Sequence, residues 1–268
     1  MRNRVRHVGR ANARSAWVWR VMVGAAAVVT AIAPASRASA QQPAAPAMGP
    51  AMGMRWSNTL FVLFDQLEYA STGRDRPVNV DAVGWYGGAV NRVWVRAQSE
   101  FATARRQGEA EGQLLAGHLV RPFWDAVAGL RVDTHWGDGH RTRTQLALGL
   151  LGLAPYRFAF SPTVFVASDG SVSFRVEAAT DWLVTQRLVA EPEFELNAAL
   201  RAAPKYGINR SGISDYEAGF RLRFDVRREL APYIGWSRSR RVSGTSSALP
   251  RSEPVAESRF VLGVRAWR

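Results

Sequence analysis

Residues 213–226 read ISDYEAGFRLRFDV, and the pattern of this stretch decides the fold class. Charged side chains occupy one set of alternating positions: Asp215, Glu217, Arg221, Arg223 and Asp225. Large apolar side chains occupy the positions between them: Tyr216, Phe220, Leu222, Phe224 and Val226. Successive side chains of a β-strand point to opposite faces. The stretch therefore predicts a strand with one lipid-facing apolar face and one charged face that lines a lumen.

The preceding segment repeats this alternation. Glu191, Glu193 and Glu195 share one face, whereas Phe194 and Leu196 share the other. An Arg or Lys that faces lipid at mid-depth costs about 2–4 kcal/mol, so the charged faces are expected to point inward. The three glutamates lie so close together on one strand that we do not expect all of them to be paired, and an unpaired excess of oxygen ligands attracts cations.

Twelve strands are predicted from about Trp56 to the C-terminus. Their ranges are 57–70, 78–86, 91–104, 109–120, 124–136, 141–152, 156–167, 171–184, 186–199, 213–226, 231–242 and 257–267. The connections are alternately short and longer, and the connection between the eighth and ninth strands is expected to be Thr185 alone. This pattern predicts an all-β, outer-membrane type, transmembrane antiparallel β-barrel of about 12 strands over residues 56–268. A soluble β-sandwich also alternates, but the single lysine, Lys205, disfavours a solvated polar face.

The first 40 residues read as an export signal. A basic start and an apolar stretch from Val21 to Ala33 precede the small residues Ala38-Ser39-Ala40, which predicts a cleaved signal peptide. Residues 41–55 are rich in Met, Pro and Ala and are predicted to be a disordered segment on the periplasmic side. The leader carries seven of the 35 basic residues, which leaves 28 against 22 acidic ones and a net charge of +6. This modest charge gives little support to a nucleic-acid partner.

The composition also narrows the chemistry. The chain has no cysteine, which excludes disulfides and thiolate metal sites. No run of 18 apolar residues follows residue 40, so a helical membrane protein is not expected. No nucleophile elbow, phosphate-binding loop or zinc-protease motif is present, and we predict that the protein is not an enzyme. An outer-membrane enzyme built on Asp133 and His135 remains a minor alternative.

Three groups of residues are candidate metal ligands. Asp133, His135 and His140 lie in or beside the outer loop 134–140, where imidazole and carboxylate suit Cu(II) or Zn(II). Met48, Met52 and Met54 offer soft thioethers that suit Cu(I). The lumen carboxylates form a third group that could guide cations: Glu177, Glu193, Glu195, Asp215 and Glu217. The alternative for this third group is a structural network of ion pairs with lumen arginines. His118 is expected to face lipid or the membrane interface.

Several short strings then resemble the copper resistance protein B family, in order over residues 58–268. They are WYGG at 85–88, NRVW at 91–94, PFWD at 122–125, AGLR at 128–131, GLAPY at 152–156, TQRL at 185–188 and RELAPYIG at 228–235. Members of that family often carry a long Met- and His-rich N-terminal segment thought to bind copper. Here the corresponding segment is AMGPAMGM at 47–54 and has no histidine.

The resemblance implies a protein of the cell outer membrane that binds or conducts copper ions and contributes to copper resistance and homeostasis. Copper would be bound as a substrate, in either oxidation state, rather than as a catalytic cofactor. The implied partners are outer-membrane lipid and a periplasmic multicopper oxidase. The alternative is a general structural or porin-like barrel without specific copper binding.

Overall fold

The fold is taken from a computed structural model that describes residues 58–71, 77–103, 107–137, 140–201, 210–227, 229–242 and 256–268. The predicted signal peptide at 1–40 and the predicted Met/Pro/Ala-rich segment at 41–55 lie outside these residues. In the part of the chain that the structure describes, no helix is long and apolar enough to cross a membrane.

Twelve long strands and one two-residue strand are present among the described residues. Their bounds are β1 Thr59–Ala70, β2 Val78–Gly87, β3 Asn91–Ala102, β4 Gln107–Arg121, β5 Trp124–Trp136, β6 Arg141–Ala154, β7 Phe158–Ala167, β8 Val172–Thr180, β9 Trp182–Leu183, β10 Leu188–Ala199, β11 Gly212–Phe224, β12 Leu230–Arg241 and β13 Ala256–Trp267. Each long strand pairs antiparallel with its neighbours, and the β1–β13 pairing closes the sheet into a barrel. The predicted twelve-stranded antiparallel barrel is confirmed.

The eighth predicted strand is broken in the structure. β8 ends at Thr180, and β9 continues beyond Asp181; both pair with β10. The prediction of Thr185 as a one-residue connection is wrong, because the turn spans residues 184–187. Two-residue loops are the commonest tight hairpin connections, and one residue is too short. The Thr185 hydroxyl oxygen holds the turn by accepting hydrogen bonds from the amides of Arg187 (3.3 Å) and Leu188 (3.0 Å).

The seventh predicted strand begins two residues later than expected. Pro155–Arg157 form a single turn of 3-10 helix before β7. Tyr156 and Arg157 have φ angles of 65° and 62°, which a strand does not allow. Phe123, in the turn before β5, also has a positive φ, and its carbonyl oxygen accepts a hydrogen bond from the Leu153 amide (3.0 Å). The two neighbouring short turns are therefore joined.

The two faces of the strands have the predicted composition. Arg175, Arg221 and Arg223 are buried in the interior of the barrel. Leucine, isoleucine and phenylalanine side chains such as Phe220, Ile234 and Leu262 are exposed on its outside. A contiguous exposed apolar band of this kind fits a lipid environment, because soluble monomers rarely expose large apolar patches.

Two tryptophans mark the ends of the apolar band on β5. Trp124 covers Gly152, where a Cβ would fall 2.4 Å from the indole, and Trp136 covers Gly108, where a Cβ would fall 2.5 Å from it. The two tryptophans begin and end this 13-residue strand. They are separated by about 40 Å along the strand. With a strand tilt of about 40°, the separation along the barrel axis is about 30 Å, which matches a bilayer core.

A small apolar core fills part of the interior between β3 and β7. Leu115, Val127, Ala147 and Phe165 form its buried centre. Trp94 of β3 packs against this cluster and lies 6.2 Å from the Trp85 ring, centroid to centroid. The remaining interior is lined by charged and amide side chains, which form the candidate site.

Candidate metal-binding lumen

Arg175 on β8 organises one side of the lumen. Its guanidinium donates two parallel hydrogen bonds to Glu111 of β4, both 3.1 Å long. Its Nε lies 3.2 Å from a carboxylate oxygen of Glu195 on β10. Close by, Arg96 of β3 forms a 2.6 Å ion pair with Glu177 of β8. We call Arg96, Glu111, Arg175, Glu177 and Glu195 the Arg175 cluster.

Arg131 extends the Arg175 cluster along the wall. It pairs with Glu111 (2.8 Å) and with Asp133 (2.7 Å). The Arg131 guanidinium also stacks over the Phe165 ring, 4.3 Å from its centroid. A guanidinium desolvated over an aromatic ring gains about 2 kcal/mol. The charged cluster and the apolar core are therefore in direct contact.

Arg221 on β11 organises the opposite side of the lumen. It pairs with Glu68 of β1 and with Glu193 of β10. The Tyr233 hydroxyl donates a 2.9 Å hydrogen bond to the same Glu68 oxygen. Gly263 lies between Tyr233 and Glu68 in register, and a Cβ there would fall 2.5 Å from the Tyr233 ring. The glycine leaves room for the tyrosine to reach the carboxylate. We call Glu68, Glu193, Arg221 and Tyr233 the Arg221 cluster.

The three glutamates of β10 are all paired, and the expectation that they would not be is wrong. Glu191 pairs with Arg223 (2.8 Å) and with Arg265 (3.2 Å). Glu193 pairs with Arg221, and Glu195 pairs with Arg175. The arginines come from β8, β11 and β13, whose charged faces point into the same lumen. The alternation within one strand does not show which arginines of other strands face it.

Two of the predicted lumen carboxylates, Asp215 and Glu217, belong to neither the Arg175 cluster nor the Arg221 cluster. Asp215 accepts a 2.8 Å hydrogen bond from the Asn197 amide. Glu217 lies directly opposite Glu195 in register, and Glu195 in turn lies opposite Glu177. Three carboxylates thus stand side by side across β8, β10 and β11. Like charges at directly opposed positions repel, and among the described residues Glu177 and Glu195 form ion pairs with arginine.

The residues predicted as an outer metal site are only partly brought together. Asp133 is buried, and its two oxygens bind Arg131 and the Gln145 amide (2.6 Å). His135 lies on the lumen face at the outer end of β5, and its Nδ1 is 3.2 Å from an oxygen of Glu109. The side chains of His135 and Glu109 are 55% and 60% exposed. His140 is exposed and lies immediately before β6.

Sequence reasoning missed Glu109. The two-residue turn Pro122-Phe123 would place Ala110 opposite His135 in a regular hairpin. A bulge between Leu119 and Arg121 shifts the register by one residue and places Glu109 there instead. A one-residue shift exchanges the two faces of a strand, so the position of the bulge decides whether His135 has a carboxylate partner.

The three methionines predicted as ligands and His118, which was expected to face lipid or the membrane interface, lie away from the lumen carboxylates described above or outside the described residues. Met48, Met52 and Met54 lie outside the described residues. His118 is exposed on the outer wall near a short turn, where its Nδ1 is 2.8 Å from the Asn91 side-chain oxygen. Among the described residues, no group of three or more His, Asp or Glu side chains has the geometry to hold a metal ion.

One acidic group lies in a turn between strands. Asp169, between β7 and β8, accepts hydrogen bonds from the hydroxyl and the amide of Ser171. These bonds lower the pKa of Asp169 below its usual value. Arg143 of β6 donates to the Ser171 hydroxyl, which ties this outer turn to the barrel wall.

The sequence of the barrel is similar to that of known proteins. The sequence profile described as copper resistance protein B precursor matches residues 58–268. Copper resistance protein B of Escherichia coli is 37% identical over 207 residues, which cover 77% of this chain and 68% of that protein. A copper resistance protein B homolog of Pseudomonas syringae pv. tomato is 36% identical over 211 residues, which cover 78% of this chain and 70% of that protein.

Among solved structures, that of the NanC porin is similar with a TM-score of 0.49 and 11% identity, covering 78% of this chain and 99% of that chain. The profile match spans the barrel from its first described residue to its last, and both relatives align over most of their own length. From these matches, the chain belongs to the copper resistance protein B family.

Proposed function

We propose that this protein binds copper ions at the outer mouth of its lumen and contributes to copper resistance from the outer membrane. Membership of the copper resistance protein B family supports the choice of metal. The closed barrel with an apolar outer band supports the location. The observation that carries the proposal is the exposed pair of His135 and Glu109 on the lumen face of β4 and β5.

The chemistry of this pair suits a divalent copper ion. A histidine that binds a metal through one ring nitrogen usually has the other nitrogen held by a carboxylate or carbonyl group. Glu109 contacts Nδ1 of His135, which leaves Nε2 for the ion. Glu100 lies opposite Glu109 in register and is paired with Arg259 at 3.0 Å, so an ion would compete with this arginine for it. His140, which is exposed and near His135 in sequence, is proposed as a further nitrogen ligand. Imidazole suits Cu(II), which would be the protein's substrate.

The deeper lumen and the N-terminal segment would act after this first contact. Asp215 and Glu217, which belong to neither the Arg175 cluster nor the Arg221 cluster, are the carboxylates proposed to receive a cation from the mouth. Glu177, Glu193 and Glu195 could receive it only if an arginine were displaced. Met48, Met52 and Met54 would hold Cu(I) on the periplasmic side, where a multicopper oxidase is the proposed partner.

Copper stoichiometry of the purified barrel tests the proposal. The wild-type protein is expected to retain Cu(II) after gel filtration, and His135→Ala and Glu109→Gln variants are expected to lose it. His118→Ala is the matched control, since it removes an exposed histidine from the outer wall. A triple Met48, Met52 and Met54 to Leu variant, measured under reducing conditions, tests the Cu(I) site separately. Equal copper in wild type and His135→Ala would refute the mouth site.

A second candidate function is a general porin-like or structural barrel without a specific metal site. The absence of any group of three possible metal ligands among the described residues favours it. Under this alternative, wild type and all variants would retain no more copper than an unrelated barrel. The same measurement therefore separates the two candidates.

A further inference from the structure

We propose that two ion-pair clusters close the lumen at mid-depth, so that this barrel is not an open pore at rest. The Arg175 and Arg221 clusters supply the closure. This inference concerns the passage of any small ion and stands whether or not the mouth binds copper.

The first argument is which strands the side chains join. Neighbouring strands form the wall, so a bridge between strands that are not neighbours has to cross the lumen. Arg175 joins β8 to β4 past three intervening strands, and Arg96 joins β3 to β8 past four. Arg221 joins β11 to β1 past two strands, and the Gln66 amide of β1 donates a 3.2 Å hydrogen bond to Glu193 of β10 past three.

The bridges also occur at more than one depth. Arg259 near the outer end of β13 pairs with Glu100 of β3 at 3.0 Å. Arg265 near the other end of β13 pairs with Glu191 of β10 at 3.2 Å. These pairs skip two strands each. An ion moving through the barrel would therefore meet cross-lumen contacts above, within and below the two clusters.

The second argument is exposure to water. Side chains that line an open pore are wetted by it, whatever their charge. The side chains of Arg175, Arg221 and Glu68 are 10%, 6% and 1% exposed. Exposure rises toward both ends of the lumen, at His135 and Glu109 of the outer mouth and at Asp181 (41%) near the short-turn end. Within the clusters it is 24% at Glu193 and 33% at Glu195. The two arginines and Glu68 are thus among the most enclosed side chains of the lumen.

The clusters are suited to hold this closure. The guanidinium of Arg175 meets Glu111 through two parallel bonds, a geometry that lysine cannot reproduce. The Arg221 cluster is fixed further by the Tyr233 hydroxyl on Glu68. Rotation of Arg221 away from the lumen would leave Glu68 and Glu193 without their counter-charge, and rotation of Arg175 would do the same to Glu195, which disfavours spontaneous opening.

Ion conductance in planar lipid bilayers tests the proposal, using protein purified from outer membranes in potassium chloride. Wild type is expected to show little steady conductance. The Arg175→Gln/Arg221→Gln double variant is expected to conduct several-fold more. The Arg92→Ala variant is the matched control, because its 3.0 Å pair with Asp125 joins β3 to β5 at the short-turn end and skips only one strand. The control is expected to match wild type.

A milder variant covers the case in which the double glutamine variant does not fold. Arg175→Lys/Arg221→Lys keeps both charges but loses the paired donors, and it is expected to conduct at an intermediate level. Folding is checked by heat-dependent migration on a gel and by β-type circular dichroism. Steady porin-like conductance by wild type would overturn the closure. Wild-type conductance in whichever double variant folds would overturn it as well.

Discussion

The outer mouth and the middle of the lumen both contain paired ionisable side chains, but the two regions differ in their exposure to water. At the mouth, His135 and Glu109 form one pair that is more than half exposed. In the middle, Arg221 pairs with Glu68 and Glu193, and the side chains of Arg221 and Glu68 are only 6% and 1% exposed. Exposed ion pairs contribute about 0–1 kcal/mol, whereas breaking a buried pair costs about 3–5 kcal/mol. A metal ion can therefore replace the weak contact between His135 and Glu109 at the mouth. The ion pairs in the middle of the lumen stabilise the barrel and are costly to break.

The largest expected effect is on the Arg221 cluster. Arg221→Ala leaves Glu68 and Glu193 without their counter-charge, so we expect the free energy of unfolding to fall by about 3–5 kcal/mol. Guanidinium unfolding in detergent micelles, followed by tryptophan fluorescence, measures the loss. Arg240→Ala, at an exposed outer position, is the control and should change stability by less than about 0.5 kcal/mol. Equal stability of the two variants would mean that the cluster does not stabilise the barrel.

The second-largest loss of stability is expected from removal of the Tyr233 hydroxyl in the Arg221 cluster. Tyr233→Phe removes only the hydroxyl that donates to Glu68. Hydrogen bonds to charged groups contribute about 1.5–3 kcal/mol, and the loss of stability should fall in that range. Gly263→Ala should be destabilising for a different reason, because its Cβ would meet the Tyr233 ring. If Tyr233→Phe were neutral, the hydroxyl would not be needed to hold Glu68.

Substitution of glutamine for a paired carboxylate of β10 and for a carboxylate of β11 outside the clusters should change the free energy of unfolding differently. Glu195→Gln removes a partner of Arg175 and should destabilise the barrel by about 1–3 kcal/mol. Glu217→Gln removes a charge that lies opposite Glu195 and belongs to neither cluster. Relief of that repulsion should leave stability unchanged or raise it by up to about 1 kcal/mol. A destabilising Glu217→Gln would indicate a partner for this carboxylate.

The smallest stability effect is expected at the mouth. Glu109→Gln removes the exposed partner of His135 and should change the free energy of unfolding by less than about 1 kcal/mol. The same substitution is expected to abolish copper retention, so function and stability separate at this position. Parallel unfolding and metal-content measurements on one preparation check both. A large loss of stability would show that the mouth is structural, like the middle.

Much of the barrel could be predicted from alternation alone. In 213–226 the charged and apolar positions separate cleanly, and the structure places Arg221 inside and Phe220 outside as expected. The predicted strand bounds were less accurate at the short turns, where the backbone departs from the extended conformation. The positive φ of Tyr156 and the break at Asp181 depend on how neighbouring hairpins meet, which a period-two pattern does not encode.

The candidate site was predicted less completely because it depends on contacts across the lumen. The pairing of Glu111 with Arg175 joins residues 64 positions apart on strands that are not neighbours. Glu109 reaches His135 only through a one-residue bulge. Asp133 was a reasonable ligand from its spacing to His135, yet its oxygens are engaged by Arg131 and Gln145. Such partners follow from the register and closure of the whole barrel.

Electron paramagnetic resonance of Cu(II) bound to the purified barrel would test copper binding at the mouth most directly. Nitrogen hyperfine coupling from one or more imidazoles is expected in wild type and in His118→Ala, and the His135 contribution is expected to vanish in His135→Ala. Glu109→Gln should weaken or abolish the signal of bound copper. An unchanged nitrogen coupling in His135→Ala, or a wild-type spectrum identical to that of free aqueous copper, would contradict a copper site at the mouth.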